Sequence, residues 1–379
     1  MSIDVAALRY DLLLVLPDGD TLSLRPALSG LQWEEQRSEL AMRLQALLVA
    51  TPDTQTARGP LHQLVALGAK VVALAEWGEG WREVFRGTVM DWRYSDDGAP
   101  VVQVTCYDEL IWLARSEDAY VFPQHTPALD ILQRLFQDWS VPTGVIDPGL
   151  EVRLSKFVHR GSLADLVFTV LSEVFTRAGQ VYLVRAREGV VDVVRPGQNT
   201  PLYHLRGDVV TSLADEQTIT TLVTEVHVVG EQAEGLLPNG TETVRPALDL
   251  VAAIDDPAIR AFGRFRALVS GQANDDPEVL GKRAAAILAE RGAPQRTRQL
   301  VAPDLPFLRR GDVVRVTAGT MVDELVPIAG ISHDADGRTM SLTIDSSGLL
   351  EHRQKQVTPE QADQLLPDLP VGAPIAPPA

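Results

Sequence analysis

The chain of 379 residues has a single cysteine, Cys106, so no disulfide can form within it. Alternation puts Cys106 on the same strand face as Val102 and Val104. That is a core position, where burial disfavours the thiolate and with it nucleophilic chemistry. No run of about twenty apolar residues occurs, which argues against a transmembrane helix and so against membrane insertion. The first twenty residues carry Asp4 early and offer no small-residue cleavage site. They do not read as a secretory signal, and synthesis and assembly in a cytoplasm are expected. Clustered lysine is missing too: the basic residues are nearly all arginine, and the net charge is −17. Binding to a nucleic-acid backbone needs clustered basic residues, so no sequence-specific nucleic-acid partner is expected. The acidity keeps a soluble protein soluble, and it would also let DNA or protein cargo slide past without sticking.

Motifs of common chemistry are missing as well. Neither the Walker pattern nor the dinucleotide glycine fingerprint is present, and there is no His-Glu-x-x-His, Cys cluster or Gly-x-Ser-x-Gly elbow. His62, His125, His159, His204, His227, His333 and His352 are scattered, and no two stand at helical ligand spacing. Asp334 and Asp336 beside Gly337 share one feature of a calcium loop, but the other ligand positions are missing and a hairpin turn explains them better. Asn239-Gly240-Thr241 matches a glycosylation acceptor, which has no consequence without secretion. A peptidoglycan hydrolase would need one acid held neutral and a second carboxylate several ångströms away. The adjacent pairs Glu34-Glu35, Asp96-Asp97, Asp255-Asp256 and Asp275-Asp276 read as turn or cap residues, where weak desolvation leaves acidity untuned. No catalytic, cofactor-binding or metal residue is therefore assigned, and no cofactor is expected. Trp77 and Trp81 flank a Gly-rich turn and offer either a carbohydrate or protein contact or packing against their own hairpin.

What is present is β pattern. Residues 84–113 read as one long hairpin. Phe85, Arg86 and Gly87 lead into residues 88–94, Ser95-Asp96-Asp97-Gly98 makes a polar turn, and residues 101–107 return with a period of two. Before it, residues 10–16 and 21–25 flank the turn Pro17-Asp18-Gly19-Asp20. Residues 31–35, 38–49, 71–75 and 82–89 are further strands, and 51–60 is a loop; for 38–49 a helix stays open, because Leu40, Leu44, Leu47 and Leu48 also fit helical spacing, and the neighbouring strands tip it toward strand. Such spacing suggests a barrel or sandwich.

The texture then changes. Thr126-Pro127 reads as an N-cap with proline in the first turn. Leu129, Leu132, Leu135, Phe136 and Trp139 form an apolar stripe after it. Ser162 and Asp165 have capping-box spacing, a wide apolar face follows from Leu163 to Phe175, and Gly179 is placed to stop that helix. Residues 181–184 and 190–194 form a hairpin around 185–189. Residues 218–229 read as one strand. Residues 230–272 give no clear pattern, and Asp276-Pro277 opens a helix ending near Arg291. Residues 296–302, 311–317, 324–332 and 339–345 are strand candidates. The Pro-rich end reads as an extended or disordered tail, with a docking peptide as the sharper alternative.

The fold class expected is mainly β with α+β: a β-barrel-like segment over 1–116, an α+β segment over 117–200, and a second β-barrel-like segment over 201–350. That second segment carries an insertion at 230–295, and a tail follows over 351–379. The run from Phe85, "FRGTVMDWRYSDDGAPVVQVTCYDEL", resembles the XkdQ/YqbQ-type hub proteins of contractile phage tails and phage-tail-like particles. The likeness continues through "TPALDILQRLF" and "RGSLADLVFTVLSEVF" and returns in "LRRGDVVRVTAGTMVDELVPIAGISHD". It implies a non-enzymatic virion protein of the tail baseplate, in which three copies form a pseudo-sixfold ring that joins the tail tube protein to a separate central spike protein. Other baseplate or tape-measure proteins would be further partners. Rival readings are a tail-associated peptidoglycan hydrolase and a glycan- or receptor-binding tail module.

Overall fold

The computed structural model describes residues 7–49, 59–78, 80–98, 100–229, 232–236, 242–246, 249–270 and 277–345. The chain opens with strands β1 (Arg9–Val15), β2 (Thr21–Ser23), β3 (Leu28–Glu35), β4 (Arg43–Val49), β5 (Lys70–Glu76), β6 (Trp81–Asp96) and β7 (Pro100–Tyr107), with one turn of helix, α1 (Leu61–Leu64), before β5. The alternation seen in the sequence is the reason for their shape. In β4, Leu44, Ala46 and Leu48 are buried while Leu47 is exposed. In β7, Val102, Val104 and Cys106 go inward together. These inward faces join Leu12, Leu14, Leu31, Trp33 and Val71 in one core.

Next come α2 (Ile111–Ala114), β8 (Glu117–Phe122), α3 (Ala128–Asp138), β9 (Thr143–Ile146), β10 (Phe157–Ser162), α4 (Leu163–Ala178), β11 (Leu183–Arg187) and β12 (Val190–Val194). The helices α3 and α4 bury the predicted apolar faces in a second core with Tyr120, Phe157, Tyr182 and Val193. Gly179 ends α4 in the left-handed region at φ 66°, its N–H bonded to Phe175 O.

The remainder holds β13 (Tyr203–Arg206), β14 (Ser212–Thr218), β15 (Glu225–Val229), β16 (Gln232–Leu236), β17 (Glu242–Pro246), β18 (Asp249–Ile254), α5 (Asp256–Phe262), β19 (Arg266–Ser270) and α6 (Pro277–Arg291). It ends with β20 (Gln295–Pro303), β21 (Val313–Ala318), β22 (Met321–Pro327), β23 (Gly330–Asp334) and β24 (Thr339–Asp345). The stretch without clear pattern thus holds a β16–β17 hairpin and the strands β18 and β19, which flank β15 in one sheet, with Leu280 and Ala284 of α6 packed on Val226, Val228 and Val269.

The mainly β class with an α+β unit holds, but the strand pairing is more continuous than two separate barrels. One eleven-stranded sheet runs β14-β20-β24-β23-β3-β4-β7-β6-β5-β1-β2. Its seam is β3 against β23, antiparallel, with Trp33 opposite His333 and Glu35 opposite Ile331. The first and last parts of the chain are therefore one hydrogen-bonded surface.

Several local expectations move. Residues 218–229 are not one strand. Thr218 and Thr220 bond to each other through their hydroxyls, and Leu222 N–H closes on Ile219 O. This local bonding competes with the ladder and makes a turn, so β14 and β15 belong to different sheets. Residues 324–332 divide at Pro327, where β22 ends, and β23 begins at Gly330. The strand expected from residue 38 starts at Arg43, after a turn in which Glu39 N–H bonds Gln36 O. The long hairpin turns at Asp97 and Gly98, because Ser95 and Asp96 still pair with Val101 and Pro100. The hairpin after α4 is tighter than expected: Arg185–Arg187 stay in β11, and Glu188 (φ 51°) with Gly189 (φ 83°) makes a two-residue turn of the kind that needs two positive φ values. The N-cap of α3 is Pro127 rather than Thr126, whose hydroxyl donates back to Pro123 O. The loop readings at 51–58, the motif at Asn239–Thr241, the residues Asp275 and Asp276, His352 and the tail over 351–379 lie outside the described residues.

Candidate functional site

A cluster of buried charges lies where the sheet seam meets the α+β unit. Glu35 ends β3 on the parity of Leu31 and Trp33, so its side chain points inward and is buried. Its two oxygens accept from the Arg309 guanidinium and from Arg310 N–H at 2.9 Å. Arg309 also donates to Ala186 O at 3.0 Å, and Arg310 to Val184 O at 3.2 Å and Arg37 O at 3.3 Å. Arg185 of β11 reaches Asp312 at 3.1 Å, while Asp312 accepts from Arg309 N–H at 2.9 Å. Asn199 bonds both backbone groups of Val313. One loop, residues 307–312, thus ties β3 to β11 through side chains far apart in sequence.

The electrostatics follow from burial and pairing. Burial alone would raise the Glu35 carboxyl, but Arg309 and Arg310 outweigh it and hold it down to about 2. Asp108 lies next to this cluster, buried, with its oxygens accepting from Met42 N–H at 3.1 Å and Leu110 N–H at 3.0 Å. Burial is its dominant influence and pushes it up to about 7. Asp312 is likewise raised by burial, against the pull of Arg185.

A second polar contact spans the seam. Tyr10 of β1 donates to Asp304, whose other oxygen meets His333 Nδ1 at 2.6 Å, and His333 Nε2 meets Leu308 O at 3.1 Å. The His333 ring stacks on Trp33 at 4.7 Å. Beside these contacts lies an open cleft of about 1270 Å³, whose walls include Trp77, Trp81, Tyr203 and Phe307.

The tryptophans flagged in the sequence have distinct places. Trp77 packs across the seam on Phe307 at 5.2 Å, with Arg82 over its ring, so it is neither free nor confined to its own hairpin. Trp81 is half-exposed under Arg25. Cys106 is fully buried, and burial pushes its thiol up to about 12. Among the histidines, His159, His227 and His333 are buried, with partners at Ser162 O, Glu225 and Asp304 respectively. Asp334 closes its turn by accepting from Asp336 N–H and Gly337 N–H, each at 3.1 Å. Among the described residues no three His, Cys, Asp or Glu side chains are grouped to hold a metal. Of the adjacent carboxylates, the reading as turn or cap residues fails for Glu34-Glu35, which lie in β3, and for Asp96, which is still in β6. Asp255 is a helix cap, accepting from Ala258 N–H at 2.9 Å. The sequence signal for Glu35 was its parity with Leu31 and Trp33: a charge on the apolar face of a strand.

The fold is similar to that of solved phage-tail proteins. A family model described as YQBQ-like matches residues 31–345, and the chain belongs to that family. The 43 kDa tail protein of prophage MuSo2 from Shewanella oneidensis is 13% identical with a TM-score of 0.64, over 90% of this chain and 100% of that one. The tail protein of Neisseria meningitidis gives 13% and 0.64, over 90% and 98%. Prophage tail protein gp18 from Listeria monocytogenes gives 12% and 0.54, over 94% and 98%. At such identities the likeness is one of fold. No curated protein matches the chain. No helix among the described residues is long and apolar enough to cross a membrane.

Proposed function

We propose that this chain is a non-enzymatic structural protein of a phage tail or phage-tail-like injection particle: the baseplate hub, acting as a homotrimer. In this reading the segments 1–116 and 201–350 form the wall of a ring around a lumen, and 117–200 braces it from outside. The ring meets the tail tube protein on one face and a separate spike protein on the other, with further baseplate or tape-measure proteins around it. It works in the assembled virion tail, after synthesis in the host cytoplasm. The observation that carries the reading is the eleven-stranded sheet joined at β3–β23 and locked by Glu35 with Arg309 and Arg310. A ring under contraction load needs walls that do not hinge, and this junction ties the two β-rich segments into one body. Subunit interfaces of obligate rings bury large apolar areas and persist on dilution. The test is absolute mass by light scattering over a dilution series. A trimer mass independent of concentration supports the ring. A stable monomer that stays monomeric with tube and spike proteins added, or turnover of peptidoglycan, overturns it.

A further inference from the structure

A second concavity lies apart from the junction, between α2, the end of α3 and the β11–β12 turn. It has a volume of about 480 Å³, and Glu109, Trp112, Ser116, Trp139 and Ser140 are on its wall. Small-molecule sites have volumes of roughly 300–1,000 Å³ and combine apolar walls with a few placed polar groups.

The two indoles are fixed in place. Trp112 is 41% exposed, an expensive place for so large an apolar surface. Its ring N–H donates to Glu109 at 3.3 Å, and Lys70 Nζ lies 5.9 Å from its ring centre. Trp139 caps the end of α3, where its backbone N–H bonds Leu135 O, and its side chain packs against the core that holds Phe136 and Val141. The Trp112 indole N–H already has a protein partner, so its ring offers a ligand a π face and not a donor. An indole face is electron-rich and attracts the electropositive edges of C–H groups. The rim is polar: the Ser116 and Ser140 hydroxyls, and Glu109, whose charge is matched by Lys70 at 3.2 Å. Ser140 sits at φ 50°, a left-handed conformation that a non-glycine residue adopts at some cost. A ligand that fits has an apolar C–H face, a hydroxylated edge and no net charge.

We propose that this concavity is a saccharide-binding site that takes a neutral pyranose unit, its C–H face against Trp112 and Trp139 and its hydroxyls on Glu109, Ser116 and Ser140. The site is independent of the hub reading: a trimer that binds no sugar and a monomer that binds one are distinguishable results.

The experiment titrates the full chain with chitotriose and, separately, maltotriose, following tryptophan fluorescence and calorimetric heat. Saturable binding of either sugar is expected. Trp112→Leu should weaken it at least tenfold and Glu109→Gln several-fold. Trp92→Ala, which removes an exposed indole on β6 outside the site, should leave it unchanged. No saturation by either sugar up to about 10 mM, beyond which affinity is too weak for a built site, overturns the proposal. Wild-type affinity in folded Trp112→Leu overturns it as well. If that variant does not fold, Glu109→Gln decides, and unchanged affinity there has the same meaning.

Discussion

Glu35 shows how much one residue can hold. It is the anion between Arg309 and the Arg310 backbone, so removing it takes away the carboxylate that directly contacts the buried Arg309 guanidinium. Breaking a buried pair by deleting one partner costs about 3–5 kcal/mol. Glu35→Ala is therefore expected to lower the unfolding free energy by about that much, read from urea denaturation at neutral pH. A loss under ~1 kcal/mol, the range of exposed ion pairs, would show that the junction is not anchored there. The pH dependence has a definite sign. The Glu35 carboxyl is depressed on folding, so its contribution is present above the ordinary Glu value and lost as pH falls towards about 2. Asp108 runs the other way. Its carboxyl is raised to about 7 by burial, so folding favours its protonated form, and stability falls as pH rises from about 4 through about 7. Asp108→Asn should flatten the thermal midpoint against pH over that window, and a profile parallel to wild type would contradict it. The parity that buries Glu35 was visible in the sequence. Its partners were not, because Arg309 is 274 positions away and nothing local marks the pairing.

At the scale of elements, the hairpins and the two long helices were legible because their periods are local properties of the chain. Alternation in residues 101–107 and the i, i+3, i+4 stripe of α4 need no knowledge of the rest of the fold. The run 218–229 misleads for a related reason. Thr and Val suit a strand throughout, and the turn between β14 and β15 comes from hydroxyl bonding and tertiary demand rather than from a glycine or proline. The Phe85-Arg86-Gly87 element has a physical cause that only the structure supplies. A Cβ on Gly87 would stand 2.2 Å from Tyr107 O and 2.6 Å from the Phe85 ring. The β6 backbone passes so close to β7 that no side chain fits. Gly87→Ala must push the strands apart, and overpacking of this kind costs roughly 1–3 kcal/mol. The measurable result is a lowered thermal midpoint, whereas alanine at Gly281, where a Cβ meets nothing within 4 Å, adds no such clash. Equal losses at the two positions would mean that the close approach carries no weight.

The whole molecule is governed by a contact that no sequence period encodes. Strands β3 and β23 lie at opposite ends of the chain, and their pairing turns two β-rich segments into one sheet. Long-range pairing of this kind is set by complementary faces, here Trp33 against His333 with Asp304 and Tyr10 behind them. The sequence therefore exposed two β segments but not their seam. Cooperativity is the consequence that can be measured. If the seam and the Glu35 junction couple the segments, backbone amides in β4 and in β24 open in the same global event, and their exchange free energies agree. Glu35→Ala weakens the junction without touching either strand. It should let β20, β23 and β24 exchange at a lower free energy than β4 and β7, splitting one unit into two. Wild-type amides of β24 exchanging well below those of β4 would instead make the segments independent bodies. A ring built on them would then have to draw its stiffness from contacts between subunits, because two segments that open separately cannot transmit load through a shared sheet.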